Sequence, residues 1–186
     1  MGCLDDAVSE VLIPEEHLRA RVRQLGKEIS NDYEGKPLLV VGILKGAAVF
    51  LADLIRAIDL PLDYDVVAIS SYGADTRSSG VVRMIKDLDV GVEGRHVLIV
   101  EDIVDTGWTL RLSYLAENIK ARGAASVKVC ALLDKPCRRK VDVGIDYCGF
   151  VIDDHFVVGY GLDYRGRYRN LSYIGILKPE VYARDE

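Results

Sequence analysis

The sequence predicts an α/β protein: a parallel sheet flanked by helices. Short continuous apolar runs carry the first part of that expectation. "LLVVGI" (38–43), "HVLIVED" (96–102) and "SVKVCALLD" (126–134) read as strands buried on both faces. Stretches with helical spacing alternate with them. A strand–helix–strand rhythm of this kind implies parallel strands joined by right-handed crossovers.

Taken in order, Pro14 opens a helical stretch, "PEEHLRARVRQLGKEISNDY". Its acids come early and its bases later, as a helix dipole favours. The strand at 38–43 follows, and "KGA" turns the chain into a helix over about 47–58. "YDVVAISSY" (64–72) is a second strand. "GADTRSSG" (73–80) is polar and bounded by glycines, so it reads as a mobile loop. "VVRMIKDL" resumes a strand, with Arg83 and Lys86 marking its exposed side. The strand at 96–102 leads to the helix "WTLRLSYLAENIKARG" (108–123), whose Leu112, Leu115, Ala116 and Ile119 share one face and which stops at Gly123. The strand at 126–134 completes the rhythm. From about 141 the chain is strand-like, rich in Tyr and Gly and poor in helix, which predicts a small cap on the main sheet. With no repeat or clear linker, 1–186 reads as one domain. Its core spans about 36–140, and a hood is formed from about 1–14 and 141–186.

The 186 residues are 49% hydrophobic and 28% charged, which suits a soluble globular domain. Lys and Arg total 24 against 29 Asp and Glu, a net charge of −5. That balance lacks the basic footprint of nucleic-acid binding. The most apolar stretch, "PLLVVGILKGAAVFLADLI", is interrupted by Lys45 and Asp53 and splits into strand and helix, so no membrane segment is expected. Cys3, Cys130, Cys137 and Cys148 have no CxxC spacing, and Asp5, Asp6 and Glu10 are wrong for a secretory leader. The expectation is a cytoplasmic protein with reduced thiols.

Residues 97–110, "VLIVEDIVDTGWTL", are the most informative in the chain. An apolar strand runs directly into Glu101 and Asp102, then Ile103 and Val104, then Asp105-Thr106-Gly107-Trp108-Thr109 at a helix start. In an open parallel sheet, ligands bind beyond the carboxyl ends of the strands. A helix N-terminus with free N–H groups suits a phosphate, and Thr106 and Thr109 add hydroxyls while Gly107 lets backbone come close. A helix cap or a solvated surface acid explains any one of these residues alone. Neither explains two adjacent like charges, which need something to bind. A vicinal diol or a hard cation fits them, and a phosphate cradle beside a diol site suits a phosphorylated sugar. Other phosphate and metal motifs fail. There is no GxxxxGK[ST], "GYGLDY" lacks the third glycine of a dinucleotide fingerprint, and His17, His96 and His155 are scattered with no HExxH.

The same segment resembles the phosphoribosyl-pyrophosphate (PRPP) signature of type I phosphoribosyltransferases. More narrowly, the chain resembles hypoxanthine-guanine phosphoribosyltransferases. "GILKGA" is similar to their pyrophosphate loop, "SSYG" to their catalytic loop, and "ALLDKP" with "FVVGYGLDYRGRYRNL" to their purine-binding hood. The resemblance runs from about 10 to 180 and implies a Rossmann-like core with a mainly β hood. It also implies transfer of a 5-phosphoribosyl group from PRPP to hypoxanthine or guanine, with magnesium, in a homo-oligomer (dimer or tetramer).

By that resemblance, Ile103, Val104 and Asp105 to Thr109, with Thr106, Gly107 and Trp108 between, would hold the 5-phosphate. Asp105 would be the general base. Glu101 and Asp102 would hold the ribose hydroxyls and, with Asp163, magnesium. Leu44, Lys45, Gly46 and Arg169 would line the pyrophosphate, with a non-proline cis peptide in that loop. Ser71 and Tyr72 would belong to a lid. Phe156 would stack on the purine, the Val157 backbone would bond its edge, Asp163 would also lie among the purine-binding residues, and Lys135 would donate to its 6-oxo group. An ammonium donates and cannot accept, so it favours oxopurines over adenine. Trp108 and His155 stand where some relatives carry lysine. A xanthine-preferring enzyme is the nearest alternative; a nucleotide-sensing RNA-binding regulator on the same fold is another, though that should show a basic face.

Overall fold

The computed structural model describes residues 5–71, 82–105, 109–138 and 144–182. The expected loop at 73–80 lies outside the described residues. A six-stranded sheet forms the centre, in the order β4-β3-β2-β5-β6-β7. Its strands are β2 (Leu38–Leu44), β3 (Asp63–Ser71), β4 (Val82–Lys86), β5 (His96–Val104), β6 (Ser126–Asp134) and β7 (Tyr147–Val151). β3, β2, β5, β6 and β7 run parallel, and β4 closes one edge antiparallel to β3.

The continuous apolar runs are strands because both of their faces are covered. Successive side chains point to opposite faces. On β2, Leu38 and Val40 pack with Leu18, Leu25 and Ile29 of α1 (Glu15–Asp32) and Phe50 and Leu54 of α2 (Ala48–Ala57). Leu39, Val41 and Ile43 face the other way, into a cluster with Leu112, Leu115 and Ile119 of α3 (Thr109–Ala121). Two helices therefore cover one face and α3 the other.

β7 belongs to the central sheet, so the chain leaves that sheet after residue 151 and not at about 141. Arg21 of α1 fixes it in place: Nε donates to the Gly149 carbonyl (3.1 Å) and Nη2 to that of Cys148 (2.6 Å). A smaller antiparallel sheet, in the order β1-β9-β8, lies apart from it. It joins β1 (Val8–Ile13), β8 (Val157–Val158) and β9 (Ile174–Leu177), and a short α4 (Pro179–Tyr182) follows. Val158, Leu171 and Leu177 form its own apolar cluster. Among the described residues, no helix is long and apolar enough to cross a membrane.

Asp65 ties the edge of the central sheet together. It is buried. Its Oδ1 accepts from the Val66 N–H (2.7 Å) and from Lys86 (3.3 Å), and its Oδ2 accepts from the Asp89 N–H (2.7 Å). Burial alone would raise its pKa, but the two backbone donors and Lys86 outweigh that and hold it below the usual value. A folded pKa below the unfolded one gives stability that is present above the unfolded pKa and lost as pH falls through the folded one. Asp65→Asn turns an amide NH₂ toward a donor on one side. It should cost about 1–3 kcal/mol near neutral pH, with the gap closing below about pH 4. Thermal melts of both proteins across pH test this; a gap independent of pH would contradict it.

Candidate active site

β2 leads on to β3 on one side and β5 to β6 on the other, so the strand order reverses between β2 and β5. A crevice opens at the carboxyl ends of such strands. Leu44, Lys45 and Gly46 leave β2 there, and the Leu44–Lys45 peptide is cis. Beside them β5 delivers the acidic pair. β5 runs further than the sequence suggests, because Ile103 and Val104 pair with Leu133 and Asp134 of β6. Glu101 and Asp102 therefore sit inside a strand and are buried.

Burial decides their chemistry. Glu101 is pushed well above the usual carboxyl pKa, first by desolvation and then by the charge of Asp102. Asp102 is raised too, again by burial, with a hydrogen bond from Glu101, the Ile103 N–H (2.9 Å) and the charge of Arg169 pulling the other way. Glu101 Oε2 is buried with no hydrogen-bond partner among the described residues. A carboxyl oxygen left unsatisfied in this way is costly unless a ligand completes it.

Gly46 lies against this pair. A Cβ there would come within 1.6 Å of Asp102 Oδ2. Gly161, at φ +103°, approaches from the other side, and a Cβ on it would meet the Gly46 carbonyl oxygen at 2.2 Å. Arg169 holds Gly161 in place: Nη1 donates to the Gly161 carbonyl (2.5 Å), and the Gly161 N–H donates to the Arg169 carbonyl (3.0 Å). Arg169 Nη2 pairs with Asp163 Oδ1 at 2.5 Å, and Asp163 Oδ2 accepts from the Gly166 N–H. The loop after β8 and the turn after β2 thus approach closely backbone to backbone.

A cavity of 380 Å³ opens next to these groups, lined by Asp102, Ile103, Asp105, Lys135, Phe156, Val157 and Asp163 among others. Lys135 is buried, its N–H bonded to the Val104 carbonyl (3.1 Å). Its ammonium donates to the His155 carbonyl (2.5 Å) and stands 3.9 Å from carboxylate oxygens of both Asp105 and Asp154. Phe156 keeps 41% of its surface exposed. Val157 lies on β8, the edge strand of the small sheet, and an edge strand offers unpaired backbone groups on its outer side.

The structure brings Leu44, Lys45, Gly46, Glu101, Asp102, Ile103, Val104, Asp105, Lys135, Phe156, Val157, Asp163 and Arg169 to one end of the central sheet and the hood above it. Thr109 begins α3, and Ser71 ends β3. Tyr72, Thr106, Gly107 and Trp108 lie outside the described residues. Asp102 and Asp163 line the same cavity, and among the described residues no preformed group of three or more acids, histidines or cysteines could hold a metal ion. Asp163 is engaged by Arg169 and the Gly166 N–H. Tyr182, which lines the same cavity, has no counterpart in the sequence reading. Nothing local marks it, since it lies far along the chain from the other lining residues.

The fold and site define an α/β protein with a mostly parallel central sheet, a crevice at the strand-order reversal and a β hood over it. The phosphoribosyl transferase domain family matches residues 14–165. A Bacillus subtilis hypoxanthine-guanine phosphoribosyltransferase is 54% identical over 94% of this chain and 96% of its own. A Staphylococcus aureus hypoxanthine phosphoribosyltransferase structure superposes with a TM-score of 0.92 at 49% identity, covering 97% of each chain. The bifunctional protein TilS/HprT of Listeria monocytogenes is 55% identical over 95% of this chain, which spans only 27% of that relative's length. The chain belongs to the phosphoribosyltransferase family, in its hypoxanthine-guanine branch.

Proposed function

We propose that this chain is a purine-salvage enzyme that transfers the 5-phosphoribosyl group of PRPP to hypoxanthine or guanine, giving IMP or GMP and pyrophosphate. One observation carries the reading: a buried ammonium, an exposed aromatic face, a strand edge and a carboxylate meet on one cavity, as Lys135, Phe156, Val157 and Asp105. Lys135 donates to the 6-oxo group, Phe156 stacks on the ring, and the Val157 backbone bonds the ring edge.

In the reaction, a purine ring nitrogen forms a bond to C1 of the ribose as the bond from C1 to pyrophosphate breaks. Pyrophosphate departs with the electron pair, and Asp105 takes the proton that the purine loses. Ile103, Val104 and the turn Asp105–Thr109 hold the 5-phosphate, with Thr106, Gly107 and Trp108 supplying N–H groups and a hydroxyl. Glu101 and Asp102 accept from the ribose hydroxyls. Lys45, Gly46, the Leu44 backbone and Arg169 face the pyrophosphate. Ser71 and Tyr72 serve to exclude water from a cationic transition state.

Magnesium suits this donor set. Carboxylate oxygens are hard donors, and Glu101 Oε2 lacks a partner among the described residues. This ion is commonly held by one or two carboxylates plus substrate phosphates, so Glu101 and Asp102, joined by Asp163, would hold it against the diphosphate. When bound there it neutralises charge on the leaving group. A cytoplasmic homo-oligomer, dimer or tetramer, completes the reading. The net charge of −5 does not favour an RNA-binding regulator.

The test is an assay with PRPP, magnesium and each of hypoxanthine, guanine, xanthine and adenine. Hypoxanthine and guanine should react and adenine should not; preference for xanthine would move the chain to the neighbouring specificity. Lys135→Ala should raise the base KM by roughly 10- to 100-fold, the scale of a hydrogen bond from a charged donor, with a much smaller change for PRPP. An unchanged base KM would remove Lys135 from base recognition.

A further inference from the structure

Tyr182 packs face to face on Phe156, with ring centroids 5.1 Å apart and planes at 20°. It also lines the cavity that holds Lys135 and Asp105. Tyr164 meets Phe156 edge-on at 5.6 Å and 85°. Phe156 nevertheless keeps 41% of its surface exposed. One face of its ring is therefore backed by Tyr182 while further ring surface stays open.

Short bonds fix where Tyr182 can be. The Leu177 N–H donates to the Phe156 carbonyl (2.8 Å), so β9 is locked to the residue that carries the ring. Lys178 donates from its N–H to Ala7 (2.9 Å) and from its ammonium to Asp6 (2.7 Å). The Val181 N–H returns to Lys178 (3.0 Å), and Val181 and Tyr182 pack on the apolar cluster of the small sheet. α4 is held at both its root and its inner face, and it carries the tyrosine back over the ring.

We propose that Tyr182 is a positioning residue for base binding: by stacking on Phe156 it holds that ring so that its remaining exposed surface receives the purine. The proposal rests on the purine-binding reading given above. A stacked aromatic pair restricts ring rotation and leaves less to be ordered when the base arrives.

Three variants test it, Tyr182→Ala, Tyr182→Phe and Tyr182→Leu, each assayed with PRPP and magnesium and melted thermally. Tyr182→Ala should raise the hypoxanthine KM about 3- to 10-fold, with the PRPP KM unchanged. Tyr182→Phe should restore the wild-type value because it keeps the stacking face. Tyr182→Leu keeps bulk without a ring and should not restore it. A fall in the base KM for Tyr182→Ala overturns the proposal, since the tyrosine would then occupy the purine's own place. Rescue by leucine, or parallel changes in both KM values, reduces Tyr182 to packing. Wild-type protein that turns over no 6-oxopurine overturns the parent reading, whereas active wild type with an unaltered alanine variant overturns this inference alone.

Discussion

Asp105→Asn should lower the turnover number in nucleotide formation by roughly 10²- to 10⁴-fold, the usual worth of a positioned general base, with a much smaller change in the PRPP KM. Asp105 follows the last residue of β5 and opens onto the cavity lined by Lys135 and Phe156. Asparagine keeps the shape of the side chain and one acceptor oxygen. It also caps a helix about as well as aspartate. What it removes is the group that can take a proton. A second effect must be separated: Lys135 lies 3.9 Å from Asp105 and loses a charged neighbour, though Asp154 remains at the same distance. That loss bears on base binding and appears in the base KM, while loss of the base appears in kcat. Turnover near wild type would leave Asp105 as a cap alone.

Gly46→Ala should reduce kcat/KM for PRPP by about 100-fold, the scale of an ångström-sized misplacement of a reacting group. The added Cβ falls 1.6 Å from Asp102 Oδ2 and 2.5 Å from its Cγ. Asp102 is buried and bonded to the Ile103 N–H, and a Cβ on neighbouring Gly161 would itself meet the Gly46 carbonyl, so there is little room for either to yield. Overpacking of this kind also costs about 1–3 kcal/mol in stability. Gly91→Ala is the control, since a Cβ there meets nothing within 4 Å. PRPP kinetics and thermal melts of both variants decide the matter. Normal PRPP use by Gly46→Ala would mean that the acidic pair tolerates displacement and does not set the site.

The central strands were legible because they are covered on both sides: the apolar runs in β2, β5 and β6 leave no polar alternation to misread. The acidic pair was legible for a similar reason, as Glu101 and Asp102 interrupt such a run near the strand's carboxyl end. The limit of β5 was not. The strand read from sequence ends at Asp102, yet Ile103 and Val104 pair with β6, and Glu101 and Asp102 sit buried within it. The stretch holding β7 reads as strand-like but as part of the hood, because "YCGFV" is placed by pairing with β6 and by Arg21, 127 residues away from Cys148 in the chain. The pairing of Asp163 with Arg169 depends on a loop in which Arg165, Gly166 and Tyr168 all take positive φ, a shape that local periodicity does not encode. Tyr182 was invisible because only the folded hood returns it to Phe156.

The pairing of β1 with β9 also has a consequence for the order of assembly. Ser9 bonds Ile176 across 167 residues, and Lys178 bonds Asp6 across 172. The strands β2, β5 and β6 can associate once the middle of the chain has left the ribosome, but β1 must wait for β9. Contacts between such distant partners close slowly, because a long loop is ordered before any contact rewards it. At about 5–20 residues per second, the N-terminal strand spends on the order of ten seconds or more of synthesis without its partner. The end of the crevice formed by β2 and β5 is therefore built early and the hood late. A nascent chain stalled before β9 would carry the former without the latter.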